Sequence, residues 1–263
     1  MKKMLIALDM DGTLINGGEE FSPRTIEILR RLKEEGHIIV LASGRPLRAM
    51  IPYHEAIDGN GPLIAYNGLL IENPKNPQRE ISYAFDKHVI QEIYEEIKPY
   101  LISFMAEDEK TIYASEVDMY LDTYFPYATM GLKTGDALMF ERDLLTALMH
   151  HEKKYDDIVQ QIVEKHEGYG YRHWTGAAYS EVYRQGFNKG SCLKLIQERL
   201  GFDKETTIAI GDSDNDYEML CLAKYAFATK GCKSKRLATA FPPTKGDVKE
   251  EGAVSTLEEL LLY

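Results

Sequence analysis

The sequence predicts a doubly wound α/β fold on a mainly parallel, Rossmann-like sheet that carries an inserted α+β domain. Three observations carry that expectation. Residues 5–8, 38–42, 63–66 and 207–210 are short apolar runs with the unbroken hydrophobicity of strands covered on both faces. Amphipathic helical patterns alternate with these runs, the signature of βαβ units. From about residue 83 to 184 the texture shifts to tyrosine-rich alternating segments, which reads as an insertion. The expected boundaries are 1–83 with 186–263 for the core and 84–185 for the inserted domain.

Each element has a local cause. The first run ends in Asp9-Met10-Asp11-Gly12, where glycine lets the backbone turn sharply. Ser22 caps a helix with Pro23 at its first position, Ile26, Leu29 and Leu32 on one face, and Gly36 as its stop. The second run ends at Ser43-Gly44-Arg45-Pro46 and the third at Asn67-Gly68, after which a hairpin is expected across 73–78. Within the insertion, helices are expected over 86–97 and 152–166 and a strand over 179–183. The core resumes with a helix over 189–200 closed by Gly201. The run 207–210 then leads into Gly211-Asp212-Ser213-Asp214-Asn215-Asp216 and a further helix through Met219 and Leu222.

Composition narrows the function classes. The chain has 263 residues, 44% of them hydrophobic, enough to bury one large core or two smaller ones. A net charge of −11 leaves no basic surplus to release counterions from phosphates, so neither nucleic acid nor an anionic membrane is an expected partner. Cys192, Cys221 and Cys232 lack metal-ligand spacing and leave an odd thiol, which argues against a disulfide scaffold. The apolar start of the chain is broken by Asp9 before it serves as a signal segment, and no later run reaches membrane-spanning length. A cytoplasmic protein is expected; composition is silent on its oligomeric state.

Chemistry is expected at the strand ends, because in open α/β sheets ligands bind outside the carboxyl edge. Asp9 and Asp11 lie there, and two acids so close strain against each other's charge unless a cation joins them. Mg²⁺ is the simplest such cation. Asp-x-Asp-Gly also occurs in solvated turns and calcium loops. A calcium loop of the EF-hand kind, however, needs further oxygen ligands and flanking helices, whereas here the preceding segment is apolar and strand-like. The other strand ends add Ser43 with Gly44, and acids from Asp212 to Asp216; Lys189 opens a helix, where the positive dipole end disfavours it. This inventory suits phosphoryl transfer from a monoester, whose transition state spreads negative charge over equatorial oxygens.

In order along the chain, Asp9-Met10-Asp11-Gly12-Thr13-Leu14, Ser43-Gly44-Arg45, Asn188-Lys189-Gly190 and Gly211-Asp212-Ser213-Asp214-Asn215-Asp216 resemble the four motifs of the haloacid dehalogenase superfamily. The large insertion between the second and third, with Ala65-Tyr66-Asn67-Gly68, looks like the Cof-type sugar-phosphatase branch. The resemblance implies a Mg²⁺-dependent phosphatase of small phosphorylated metabolites that works through a phosphoaspartyl intermediate. It implies Asp9 as nucleophile, and Asp11 as acid toward the leaving alcohol and base toward water. The metal would be held by the Asp9 carboxylate, the Asp11 backbone carbonyl and the Asp212 carboxylate. The phosphoryl oxygens would fall to the Met10 and Gly44 amides, the Ser43 hydroxyl, Lys189 and Asn215. Asp216 would orient Lys189 or the metal's waters. Asn67, whose Asn-Gly pair is equally a strong turn signal, is assigned a substrate-side role on its position at a strand end. The inserted domain would act as a mobile cap that selects the substrate, hinged near 83–86 and 184–187.

Some residues depart from this pattern or stand outside it. Ser43 replaces a commoner threonine but supplies the same hydroxyl. Ala228-Thr229-Lys230-Gly231-Cys232 stands where a Met-Gly-Asn-Ala-like run is usual, and 242–247 lacks the usual asparagine, which leaves leaving-group preference open. Arg45 and Arg48 are assigned to pairing with nearby acids. His150, His151 and His173 share no i, i+4 metal pattern and read as surface or satisfied core groups, and Trp174 reads mainly as packing. Two other readings use the same pocket: a phosphomutase, in which a substrate hydroxyl replaces water, and a non-catalytic phosphate-binding regulator, against which the presence of Asp11 counts.

Overall fold

In the computed structural model, which describes residues 2–17, 20–124, 131–135, 137–174 and 178–262, the first apolar run forms β1 (Leu5–Asp9), buried throughout. Helix α1 (Pro23–Glu34) follows; Ser22 accepts from the Thr25 amide as its cap, and Ile28, Leu29 and Leu32 are buried. Next come β2 (Ile38–Ala42), α2 (Leu47–Ala56), β3 (Leu63–Ala65), β4 (Leu70–Asn73) and β5 (Asn76–Ser82). The hairpin turn is tighter than the expected 73–78, because Asn73 already pairs with Asn76 across it.

The chain divides into two units, one formed by Met1–Ser82 with Phe187–Tyr263 and the other by Tyr83–Gly186. The second contains α3 (Lys87–Ile97), β6 (Leu101–Glu107), β7 (Thr111–Ala114), α4 (Met119–Tyr124), β8 (Gly131–Thr134), β9 (Thr146–His151), α5 (Asp156–Glu164), β10 (Tyr169–His173) and β11 (Tyr179–Arg184). Its sheet runs β10-β11-β9-β6-β7-β8 and is antiparallel except between β7 and β8. Helix α5 is shorter than the periodicity of 152–166 predicts, since Lys153–Tyr155 winds as a separate 3₁₀ turn. Tyr94 of α3 packs on Phe104 of β6, ring centroids 4.8 Å apart, so the tyrosine-rich texture supplies core as well as surface here.

The first unit resumes with α6 (Lys189–Leu200), β12 (Thr207–Gly211), α7 (Tyr217–Cys221), β13 (Tyr225–Ala228), α8 (Lys235–Ala240) and α9 (Gly252–Leu261). Its sheet order is β13-β12-β1-β2-β3-β4-β5, parallel as far as β3 and antiparallel for β4 and β5. The chain winds outward on one side of β1 through β2 and β3, and on the other through β12 and β13, so β1 borders the switch point where ligands bind in such sheets. Register sets what meets there: Asp9 lies opposite Ala42, and Leu8 opposite Ile210. The residues after those strands, Ser43 and the 211–216 acids, therefore emerge level with Asp9. Among the described residues no helix is long and apolar enough to cross a membrane.

Candidate active site

Asp9 ends β1 and is 4% exposed. The Lys189 ammonium, itself 1% exposed, donates to Asp9 Oδ1 at 2.6 Å and to Asp216 Oδ1 at 2.7 Å. Its place in the first turn of α6 is set by a capping box, in which Asn188 and Ser191 exchange side-chain and backbone bonds. The other oxygen of Asp216, Oδ2, accepts the Asp212 and Ser213 amides, each at 3.0 Å. Both oxygens of Asp216 thus have donors, and this acid holds Lys189 and the loop. Asp9 Oδ2, by contrast, is buried with no hydrogen-bond partner among the described residues.

Asp9, Asp212 and Asp216 each bring a carboxylate oxygen within 4.8 Å of the others, with Lys189 the one ammonium paired to them among the described residues. Burial pushes the Asp9 carboxyl well above the usual carboxylate range, and repulsion from Asp216 and Asp212 adds to it against the pull of Lys189. Burial and Asp216 likewise push Asp212 up to about 6. Burial pulls the Lys189 ammonium down, but Asp216 and Asp9 outweigh it and hold it above its ordinary value. The surplus negative charge, the orphaned Asp9 oxygen and the all-oxygen donor set fit a hard divalent cation such as Mg²⁺.

Gly12 makes the close approach possible. Its φ is +86°, and a Cβ there would lie 2.4 Å from Asp212 Oδ2. The Met10 carbonyl accepts the amides of Thr13, Leu14 and Ile15, which closes the turn after β1. Thr229 bonds the Gly211 carbonyl through its amide and lies 3.2 Å from Thr13 across their hydroxyls. The atypical 228–232 segment is therefore packed on the acid-bearing loops.

The second loop meets the site through Ser43 and Arg45. Ser43 Oγ accepts the Arg45 amide at 3.1 Å and lies 3.4 Å from Asp11 Oδ2. Arg45 grips Asp11 with both arms, Nε to Oδ2 and Nη2 to Oδ1, each at 2.7 Å, and Nη1 reaches the Tyr53 hydroxyl at 3.1 Å. The arginine does pair with a nearby acid, as its sequence position suggested, but the acid is Asp11 itself. What sequence reasoning missed is that this pairing belongs to the site; adjacency to Ser43-Gly44 was the available signal. The Asp11 carboxylate stands outside the converging acid cluster. Asn67 and Asn215 meet by a bond from Asn215 Nδ2 to Asn67 Oδ1 at 2.8 Å, and Gly44 packs against the Asn67 carboxamide. His150 and His151 are partnered within the inserted unit, by Asp118 and by Tyr171.

Fold and site together define an α/β enzyme whose acids and lysine meet at the carboxyl edge of a parallel sheet. Residues 6–245 match the haloacid dehalogenase-like hydrolase family, and the chain belongs to it. The 5-amino-6-(5-phospho-D-ribitylamino)uracil phosphatase YitU of Bacillus subtilis is 29% identical over 227 residues, 83% of each chain. The pyridoxal phosphate phosphatase YbhA of Escherichia coli is 24% identical over 234 residues, 84% of this chain and 85% of its own. The structure of a haloacid dehalogenase-like hydrolase from Bacteroides thetaiotaomicron matches with a TM-score of 0.87 at 25% identity, covering 99% of this chain and 100% of that one.

Proposed function

We propose that this haloacid dehalogenase-type phosphatase hydrolyses small phosphorylated metabolites with Asp9 as nucleophile and Mg²⁺ as cofactor. The observation that carries the reading is the state of Asp9: one oxygen fixed by Lys189, the other buried and without a partner among the described residues. A carboxylate so placed is oriented and poorly solvated, as a nucleophile should be.

Asp9 attacks phosphorus and the ester bond breaks, leaving the phosphoryl group on Asp9 as an acyl phosphate. Asp11, which must let go of Arg45 to carry a proton, gives one to the departing alcohol oxygen and takes one back from the water that hydrolyses the acyl phosphate, which regenerates both acids. Lys189, the Ser43 hydroxyl, the Met10 and Gly44 amides and Asn215 hold the phosphoryl oxygens while their charge redistributes. Asp9, Asp212 and the Asp11 backbone carbonyl would hold Mg²⁺, which when bound supplies neutralisation of phosphoryl charge. Asp216 keeps Lys189 in place.

In this reading the inserted domain, 84–185, is the cap that selects the leaving group. The relatives named for 5-amino-6-(5-phospho-D-ribitylamino)uracil and for pyridoxal phosphate direct the substrate panel toward those esters and toward sugar phosphates. The test is p-nitrophenyl phosphate turnover in Mg²⁺ and in EDTA, for wild type and Asp9→Asn. Mg²⁺-dependent turnover that the variant lacks is expected; a variant that keeps turnover would overturn the nucleophile assignment.

A further inference from the structure

Asn67 sits where its own backbone resists it. Tyr66, Asn67 and Gly68 have φ of +50°, +54° and +105°, a left-handed run that only glycine adopts freely and asparagine better than most. Two bonds impose it: the Tyr66 amide to the Arg45 carbonyl and the Asn67 amide to the Ser43 carbonyl, both 3.0 Å. The turn is thus built on the loop that carries Ser43 and Gly44. Beside it Gly68 presses on the start of α6, where a Cβ would lie 2.5 Å from the Asn188 carbonyl carbon. The Asn67 side chain then reaches the fourth loop, accepting from Asn215 Nδ2 at 2.8 Å. Asn215 Oδ1 is buried without a partner among the described residues.

The torsion that turns an asparagine amide is soft and broadly populated, so an amide is aimed only when a neighbour fixes it. Here one N–H of Asn215 is committed to Asn67, and that bond dictates where the second N–H and the unpartnered oxygen point. We infer that Asn67 is a positioning residue, whose carboxamide oxygen fixes the rotation of the Asn215 amide toward the phosphoryl group without itself touching the substrate. The strained turn serves to place one acceptor between the second and fourth loops. This inference rests on the proposed role of Asn215 as a phosphoryl ligand.

A double-mutant cycle tests it, read as competitive inhibition of p-nitrophenyl phosphate turnover by inorganic phosphate. Asn67→Gly is the suitable variant because glycine accepts the positive φ and deletes only the amide; an unchanged thermal midpoint confirms an intact fold. N67G and N215A should each raise the phosphate Ki about tenfold, the scale of one hydrogen bond to a charged oxygen. The double variant should stay within about twofold of N215A, because Asn67 has nothing left to aim. Costs that multiply to about a hundredfold would overturn the inference, since a direct phosphate contact or a general structural role acts in both backgrounds. An N67G enzyme with unchanged Ki beside a weakened N215A would overturn this inference alone, whereas an unchanged N215A would remove the reading beneath it.

Discussion

Lys189→Met isolates the electrostatics of the site, because methionine keeps most of the apolar stem and removes only the ammonium. That ammonium lies 2.6 Å from Asp9 and 2.7 Å from Asp216, and at an effective dielectric constant near 20 each contact is worth about 6 kcal/mol of Coulomb attraction. Desolvation of the ions, several kcal/mol each, offsets most of it. Removing one partner of a buried pair still costs about 3–5 kcal/mol, because the acids left behind have neither water nor a counterion. For a domain of this size 1 kcal/mol moves the thermal midpoint by about 2–4 °C, so a fall of about 6–20 °C is expected in EDTA near neutral pH. Differential scanning calorimetry reads the fall directly. The deficit should narrow as pH falls, because protonating the crowded acids removes the charge that Lys189 compensated. Turnover should drop about 100- to 1000-fold, as when one donor to a developing oxyanion is removed. A midpoint within about 2 °C of wild type would refute the argument that Lys189 compensates two buried carboxylates.

The remaining predictions concern the same cluster. Asp9→Asn abolishes turnover, yet its midpoint in EDTA stays level or rises, since one of three converging charges is gone and Asp216 still pairs Lys189; calorimetry showing a loss of several degrees contradicts the crowding argument. Asp212 is held at about 6 against an ordinary value of 3.8, so the folded state binds its proton first and stability from this group is full below 3.8 and lost as pH rises through about 6. His37 and His54, held below their usual value by burial, act in the opposite sense, so the useful quantity is wild type minus Asp212→Asn in EDTA. Urea unfolding should show that difference moving in favour of wild type from pH 7 to 5, and Mg²⁺ should flatten it. Gly12→Ala forces a Cβ into left-handed backbone 2.4 Å from Asp212 Oδ2; the Mg²⁺ concentration for half-maximal turnover should rise about tenfold, and an unshifted titration removes Asp212 from the metal set.

The core fold was legible because its causes are local. Strands covered on both faces read as unbroken apolar runs, and the helices between them carry their own caps, Ser22 before α1, Asn188 before α6 and Gly201 after it. Lys189 was legible for an opposite reason: a lysine at the positive end of a helix is locally unfavourable, which signals compensation from elsewhere, and Asp9 and Asp216 supply it. What stayed hidden depends on register. Arg45 reaches Asp11 only because β1 and β2 align Asp9 with Ala42, and no local pattern encodes that alignment. Asn67 and Asn215 are 148 residues apart, and their bond exists because β3 and β12 end at the same edge. Asp216 was left between two tasks by sequence; in the structure its two oxygens accept Lys189 and the amides of Asp212 and Ser213. In the inserted unit, alternation predicts strands but not their order, which again is long-range.

The charge imbalance separates a functional site from a structural one. A buried ion pair kept for stability would be matched, and Lys189 with Asp216 alone would be a matched pair whose remaining oxygen is satisfied by two amides. Asp9 shares the same ammonium, and Asp212 lies within reach of both acids with no cation of its own among the described residues. Nothing in folding requires that surplus: replacing either acid by an amide would relieve repulsion that burial makes expensive. On the proposed reading, an acid cluster set at a strand edge by register and given room by a glycine with φ of +86° is kept for what it would hold during turnover. It follows that stabilising substitutions at Asp9 and Asp212 should be the ones that silence the enzyme, whereas substitutions at Asp216 should lose stability and activity together.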